Sequence, residues 1–181
     1  MYSEVLTFWF EQLQPKDWFS GGDDTDRMIT DKFRSLLLQA AQCELVEWRQ
    51  HPQGRLAEII VLDQFSRNVF RGTPQAFAQD PLALALAQEA VALGADGADG
   101  ELSLQEKSFL YMPYMHSESP FIHQEAVRLF AQPGLEHNYD FELRHKAIID
   151  QFGRYPHRNA ILGRESTPEE VEFLKQPGSG F

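Results

Sequence analysis

The sequence predicts an all-α fold of antiparallel helical hairpins, and three observations point to it. Apolar residues recur at spacings of three and four almost from end to end. No run alternates with period two over several segments, as strands would. Cap residues, prolines and glycines punctuate the chain at helix-length intervals, leaving only short connections between neighbours.

The elements follow in order. Val5, Phe8, Trp9 and Leu13 come after Ser3, read as an N-cap. Ile29, Phe33, Leu36, Leu37 and Ala40 form one stripe of a second helix. Leu45 and Trp48 sit on a shorter piece that stops near His51-Pro52. Residues 55–66 are apolar nearly all round, through Leu56, Ala57, Ile59, Ile60, Val61, Leu62 and Phe65, and such a helix belongs at the centre of a core. Asp80-Pro81 reads as a cap followed by proline at the first helical position. Leu82, Leu86, Ala90 and Leu93 then mark a face, with Gly94 as terminator. Ser103-x-x-Glu106 is a capping box, and Pro113 is expected to end the helix it opens. Ile122, Ala126, Leu129 and Phe130 mark the next helix. Phe141 to Phe152 marks another, stopped by Gly153, and Thr167-Pro168-Glu169-Glu170 opens a last short one. The domain reading is one helical domain over 1–181, with a flexible loop at 95–101 and a C-terminal tail at 177–181.

Composition narrows the function classes. The chain has 181 residues, a net charge of −11, 43% hydrophobic and 24% charged residues, a globular profile. That acidity argues against nucleic-acid or anionic-membrane binding, which relies on positive charge. No apolar run approaches the roughly 20 residues of a membrane helix. A single cysteine, Cys43, and a start without a signal-peptide pattern lead to a cytoplasmic expectation. Cys43 reads as a small buried thiol.

The most informative feature is a repeated helix end. Asp63-Gln64-Phe65-Ser66-Arg67 and Asp150-Gln151-Phe152-Gly153-Arg154 match at four of five positions, and each follows an apolar triplet. Leu56, Ile59 and Ile60 define a stripe that continues into Asp63 and Arg67. Leu143 and Ala147 define one that continues into Asp150 and Arg154. Charges on core stripes are costly unless paired, and an Asp can pair with an Arg four residues on. Between Arg144 and Arg164 lie five basic residues and one acid, a local charge of +4 in an acidic chain, with His145 and His157 among them. Such an island suits a carboxylate, a phosphate or a peptide C-terminus. The ligand-binding set expected on this basis is Asp63, Arg67, Asn68, Asp150, Arg154, His157, Arg158 and Asn159.

Other chemistry is weakly signalled. His116-Ser117-Glu118 reads either as a helix-entry loop or as an acid/base pair, so the catalytic candidates are His116, Glu118 and His157. No zinc, P-loop, dinucleotide or nucleophile-elbow motif is present, and Glu142-x-x-His145 is one unmatched half of a di-iron pattern. Neither a metal nor a cofactor is expected.

Several blocks together resemble a known family. They are Phe8-Trp9-Phe10, Gly54-Arg55-Leu56-Ala57, Leu62 to Asn68, Ala76 to Asp80, His116-Ser117-Glu118, Phe152 to Asn159 and Thr167 to Glu170. On these blocks the chain resembles the bacterial proteins grouped as domain of unknown function 924. The resemblance implies a helical fold similar to tetratricopeptide-repeat proteins and implies no activity. Ser66 stands where the family usually has Pro, and Tyr155 where it usually has Phe.

Three functional readings follow. The first is a binding module whose Arg- and His-lined concave surface holds an anionic group of a peptide or small metabolite. The second is a hydrolase or transferase with a histidine acid/base and an arginine clamp. The third makes the motifs purely structural, with function on another surface.

Overall fold

The structure, a computed structural model, describes residues 1–20, 22–97 and 101–180. Residues 98–100 of the expected 95–101 loop, and Phe181 of the expected tail, lie outside the described residues. The described chain is all helical, with no strand. Its contacts gather into two compact units. One comprises Met1–Arg71 and Gln75–Pro113; the other comprises Gly72–Pro74 and the chain from Tyr114 onward.

The first unit begins with α1 (Tyr2–Leu6), running into a π-helical segment, Thr7–Gln12. The helix starts ahead of Ser3, which therefore does not cap it. Next come α2 (Pro15–Ser20) and α3 (Asp23–Ala41), which buries Ile29, Phe33, Leu37 and Ala40 as the spacing predicts. Cys43 corrects the sequence reading. It is exposed, and with φ 60° it adopts the left-handed conformation just past the end of α3, a place usually given to glycine.

The chain then folds as a 3-10 turn, Val46–Gln50, and enters α4 (Pro52–Ile60). A π-helical turn, Val61–Phe65, and α5 (Ser66–Val69) continue it. Leu56, Ala57, Ile59, Ile60, Val61, Leu62 and Phe65 are all fully buried, the central helix expected from their pattern. Each large side chain among them contributes about 1.5–3 kcal/mol of burial. Phe65 meets Phe33 at 4.9 Å and Trp9 at 5.6 Å between ring centres, so the two π segments join one aromatic core.

The unit closes with α6 (Asp80–Ala92) and α7 (Leu104–Met115), the last two residues of which belong to the second unit. Three details differ from the sequence reading. Asp80 is the first helical residue and not the cap, and its carboxylate is held by Arg67. The buried face of α6 is Ala83, Leu86, Ala87 and Ala90, while Leu93 is exposed past the last turn. Pro113 lies inside α7, since so near the helix end its missing N–H costs only one bond. The Ser103–Glu106 capping box is formed in both directions.

In the second unit, α8 (Pro120–Phe130) packs on α9 (Glu136–Phe152) as a helical hairpin. Gly153 ends α9 at φ 69°. A 3-10 turn, Pro156–Arg158, leads to α10 (Asn159–Leu162), and α11 (Pro168–Phe173) opens with a complete Thr167–Glu170 capping box. Ile148, Ile149 and Tyr155 form one core cluster of this unit, with Phe152 and Phe173 against them. The stripe read through Leu143 and Ala147 is corrected: both are exposed, as is Asp150, and α9 instead buries Glu142, His145, Ile148 and Ile149. Two polar residues at core positions hid the true face.

Candidate functional site

Each copy of the repeated helix end is wired within its own unit. In the first, Arg67 Nη1 donates to the Asp63 carbonyl at 2.7 Å and to Asp63 Oδ1 at 3.2 Å. The same guanidinium grips Asp80 with both nitrogens, at 2.8 and 3.0 Å, and its carbon lies 5.6 Å from the Phe77 ring centre. Gln64 Nε2 donates to Asp63 Oδ2 at 2.6 Å. Asn68 donates to Asp26 Oδ1, which Arg71 also grips. The i to i+4 pairing read from the sequence is thus present here, extended by Asp80 and Asp26.

The second copy is wired differently. Asp150 pairs with Lys146 at the surface, at 2.5 Å. Arg154 instead donates through Nε and Nη2 to the two oxygens of Glu170, at 2.7 and 2.8 Å, and to the Glu165 carbonyl. The difference follows from Gly153: α9 stops there in a left-handed turn, so Arg154 leaves the helical line that would have carried it over Asp150. Asn159 donates to Glu170 Oε2 and to Ser166, and Thr167 N–H donates to the same carboxylate. The Arg154 hydrogen bond leads in holding Glu170 down at about 2, against the opposing effect of burial.

Beside this network lies the loop between α7 and α8. Glu118 receives both nitrogens of Arg164, at 2.6 and 2.9 Å, and the Tyr155 N–H at 2.7 Å. Burial works to raise the Glu118 pKa, but Arg164, the Tyr155 amide and the nearby charge of Arg158 outweigh it, and the net shift is downward. Arg158 donates to the His116 carbonyl at 3.1 Å and lies over the Tyr155 ring. His157 is pushed down to about 4, by burial first and by Arg158 next. His116, Glu118, Arg154, His157, Arg158 and Asn159 therefore belong to one neighbourhood of the second unit, together with Arg164, Glu170 and Tyr155, which were not among the predicted site residues.

A deeper group was also missed. His123 and Glu142 are both fully buried and meet at 2.6 Å, Nδ1 to Oε1. His123 Nε2 lies 2.8 Å from the Ser117 carbonyl and 3.2 Å from the Tyr155 hydroxyl. A carbonyl only accepts, so Nε2 carries a proton, and the Nδ1–Oε1 contact shares another. Glu142 Oε2 is buried with no hydrogen-bond partner among the described residues, and burial raises the Glu142 pKa. The half di-iron spacing of Glu142 and His145 is accounted for here: Glu142 bonds His123, and His145 Nδ1 bonds the Phe141 carbonyl at 2.8 Å. His123 among the apolar residues Ile122, Ala126, Leu129 and Phe130 of α8 is the sequence signal for this pair; the α9 face carries two polar residues, Glu142 and His145, and gives none.

The chain belongs to a family of bacterial proteins of unknown function, DUF924, whose model matches residues 5–178. Among solved structures it is similar to the protein of unknown function ATU0120 from Agrobacterium tumefaciens. The two are 37% identical, the alignment covers 96% of each chain, and the TM-score is 0.89. No curated protein matches it. No helix among the described residues is long and apolar enough to cross a membrane.

Proposed function

We propose that the chain is a binding module for a small anionic group, a carboxylate or phosphate of a peptide or metabolite, held in the second unit around Glu118. The observation carrying this reading is a concentration of guanidinium groups on one neighbourhood: Arg154 and Arg164 each grip a carboxylate with two nitrogens, Glu170 and Glu118, and Arg158 lies beside them over the Tyr155 ring. Arg154 and Arg164 keep 28% and 24% of their side-chain surface exposed, so a solute can reach their edges. His116 and His157 flank them, half-buried. Asp63, Arg67 and Asn68 serve this reading as clamps of the first unit, and Asp150 anchors Lys146. A tetratricopeptide-like arrangement of the hairpins and a cytoplasmic location belong to the same proposal.

The test is a thermal-shift and titration series with inorganic phosphate, short carboxylates and peptides with free C-termini. At least one class should raise the melting temperature, and Arg158→Lys and His157→Gln should weaken its binding. If no class shifts the melting temperature, or both variants bind as the parent does, the reading fails.

A further inference from the structure

Five of the six histidines, all but His51, belong to the second unit. Three of them surround one ring. Tyr155 is fully buried, and its ring centre lies 6.3 Å from His123, 5.7 Å from His145 and 5.5 Å from His157. The Arg158 guanidinium carbon lies 4.7 Å from the same centre. The Tyr155 hydroxyl donates to the Met115 carbonyl at 2.5 Å, and its amide donates to Glu118. This one residue therefore fastens the end of α7 and the 116–118 loop to the core of α9.

We propose that this histidine cage is an acid-responsive latch. Protonating His145 and His157 places two more cations beside Arg158 around one buried ring, and opens the segment of the second unit that Tyr155 fastens while the first unit stays closed.

The charged and titratable groups facing the cage come from four elements, and Gly180 of the C-terminal stretch also packs against His157. Helix α8 supplies His123; α9 supplies Glu142, His145 and Lys146; the loop before α8 supplies His116 and Glu118. The chain after α9 supplies His157, Arg158 and Arg164. Both carboxylates named here are already engaged, Glu142 by His123 and Glu118 by Arg164 and the Tyr155 amide.

Burial, aided by the neighbouring histidines, holds His145 down at about 3, and His157 stands at about 4 for the reasons given above. Both are neutral in the closed unit where an open chain, with a value of 6.5, binds protons. The open state thus gains stability relative to the closed one as pH falls from 6.5 toward 4 and 3. Glu142 acts in the opposite sense, because its raised pKa lets the closed unit take up that proton first, but it is one group against two.

The test is hydrogen–deuterium exchange of the full chain at pH 7 and pH 5, corrected for intrinsic exchange rates. Peptides within 114–124 and 141–160 should lose protection, up to about tenfold per pH unit for each histidine below its open-state pKa, while peptides within 25–70 keep theirs. The double variant His145→Phe, His157→Phe retains the rings and removes both protons, and should abolish the loss of protection on acidification, leaving only the opposite contribution of Glu142. Should the double variant not fold, His157→Phe alone is expected to remove part of it. Equal loss of protection in both units would overturn the latch, as would an unchanged pH dependence in the variants.

Discussion

Gly54 has no side chain because none fits. A β-carbon built there would stand 2.0 Å from the Trp48 carbonyl oxygen, where the Val46–Gln50 turn crosses the start of α4. Backbone cannot rotate aside as a flexible side chain can, so Gly54→Ala should cost about 3 kcal/mol or more, read as a lower urea midpoint at unchanged slope. A fall below about 1 kcal/mol would show the turn free to move. Nothing in the sequence around Gly54 marks this contact, since it depends on which segment crosses the helix. Cys43 teaches the same at residue scale: a lone cysteine after an apolar stripe reads as core, yet the end of α3 turns it outward.

At the scale of elements, a π turn and an arginine hold the central helix. The Val61–Phe65 turn keeps Asp63 and Gln64 buried within an otherwise apolar run, and Arg67 carries Asp63 across to Asp80 at the start of α6. Removing Arg67 takes the shared guanidinium from two carboxylates that have little solvent around them. A double-mutant cycle of Arg67→Met and Asp80→Asn should return a coupling of about 1–2 kcal/mol, measured by chemical denaturation. Additive effects would mean the pair is incidental. Sequence spacing made the Asp63–Arg67 contact legible, because four residues along one helix are neighbours whatever the tertiary fold. It could not supply Asp80, thirteen residues on, nor replace the Asp150–Arg154 pair with Arg154–Glu170, which follows from where α9 ends.

Over the whole molecule, buried and paired carboxylates set the acid limit. Glu170 stands at about 2 and Glu118 lies below the usual range of 4.5, so their stabilisation is complete above 4.5 and is lost as pH falls through the folded values. Urea midpoints should therefore drop between pH 5 and pH 3, and Glu170→Gln should show a shallower drop from a lower start. A drop of equal steepness in that variant would remove Glu170 from the account.

Helical class, the buried run from Leu56 to Phe65 and the clustering of bases between Arg144 and Arg164 were determined by the sequence itself, because periodicity and composition are local properties. The partners of those charges were decided by tertiary structure. Glu118 with Arg164, His123 with Glu142 and the three histidines about Tyr155 join residues from different helices and loops. A charge placed near the core must find its counter-charge in space, and only the packing of α8, α9 and the chain beyond Gly153 determines which one it meets.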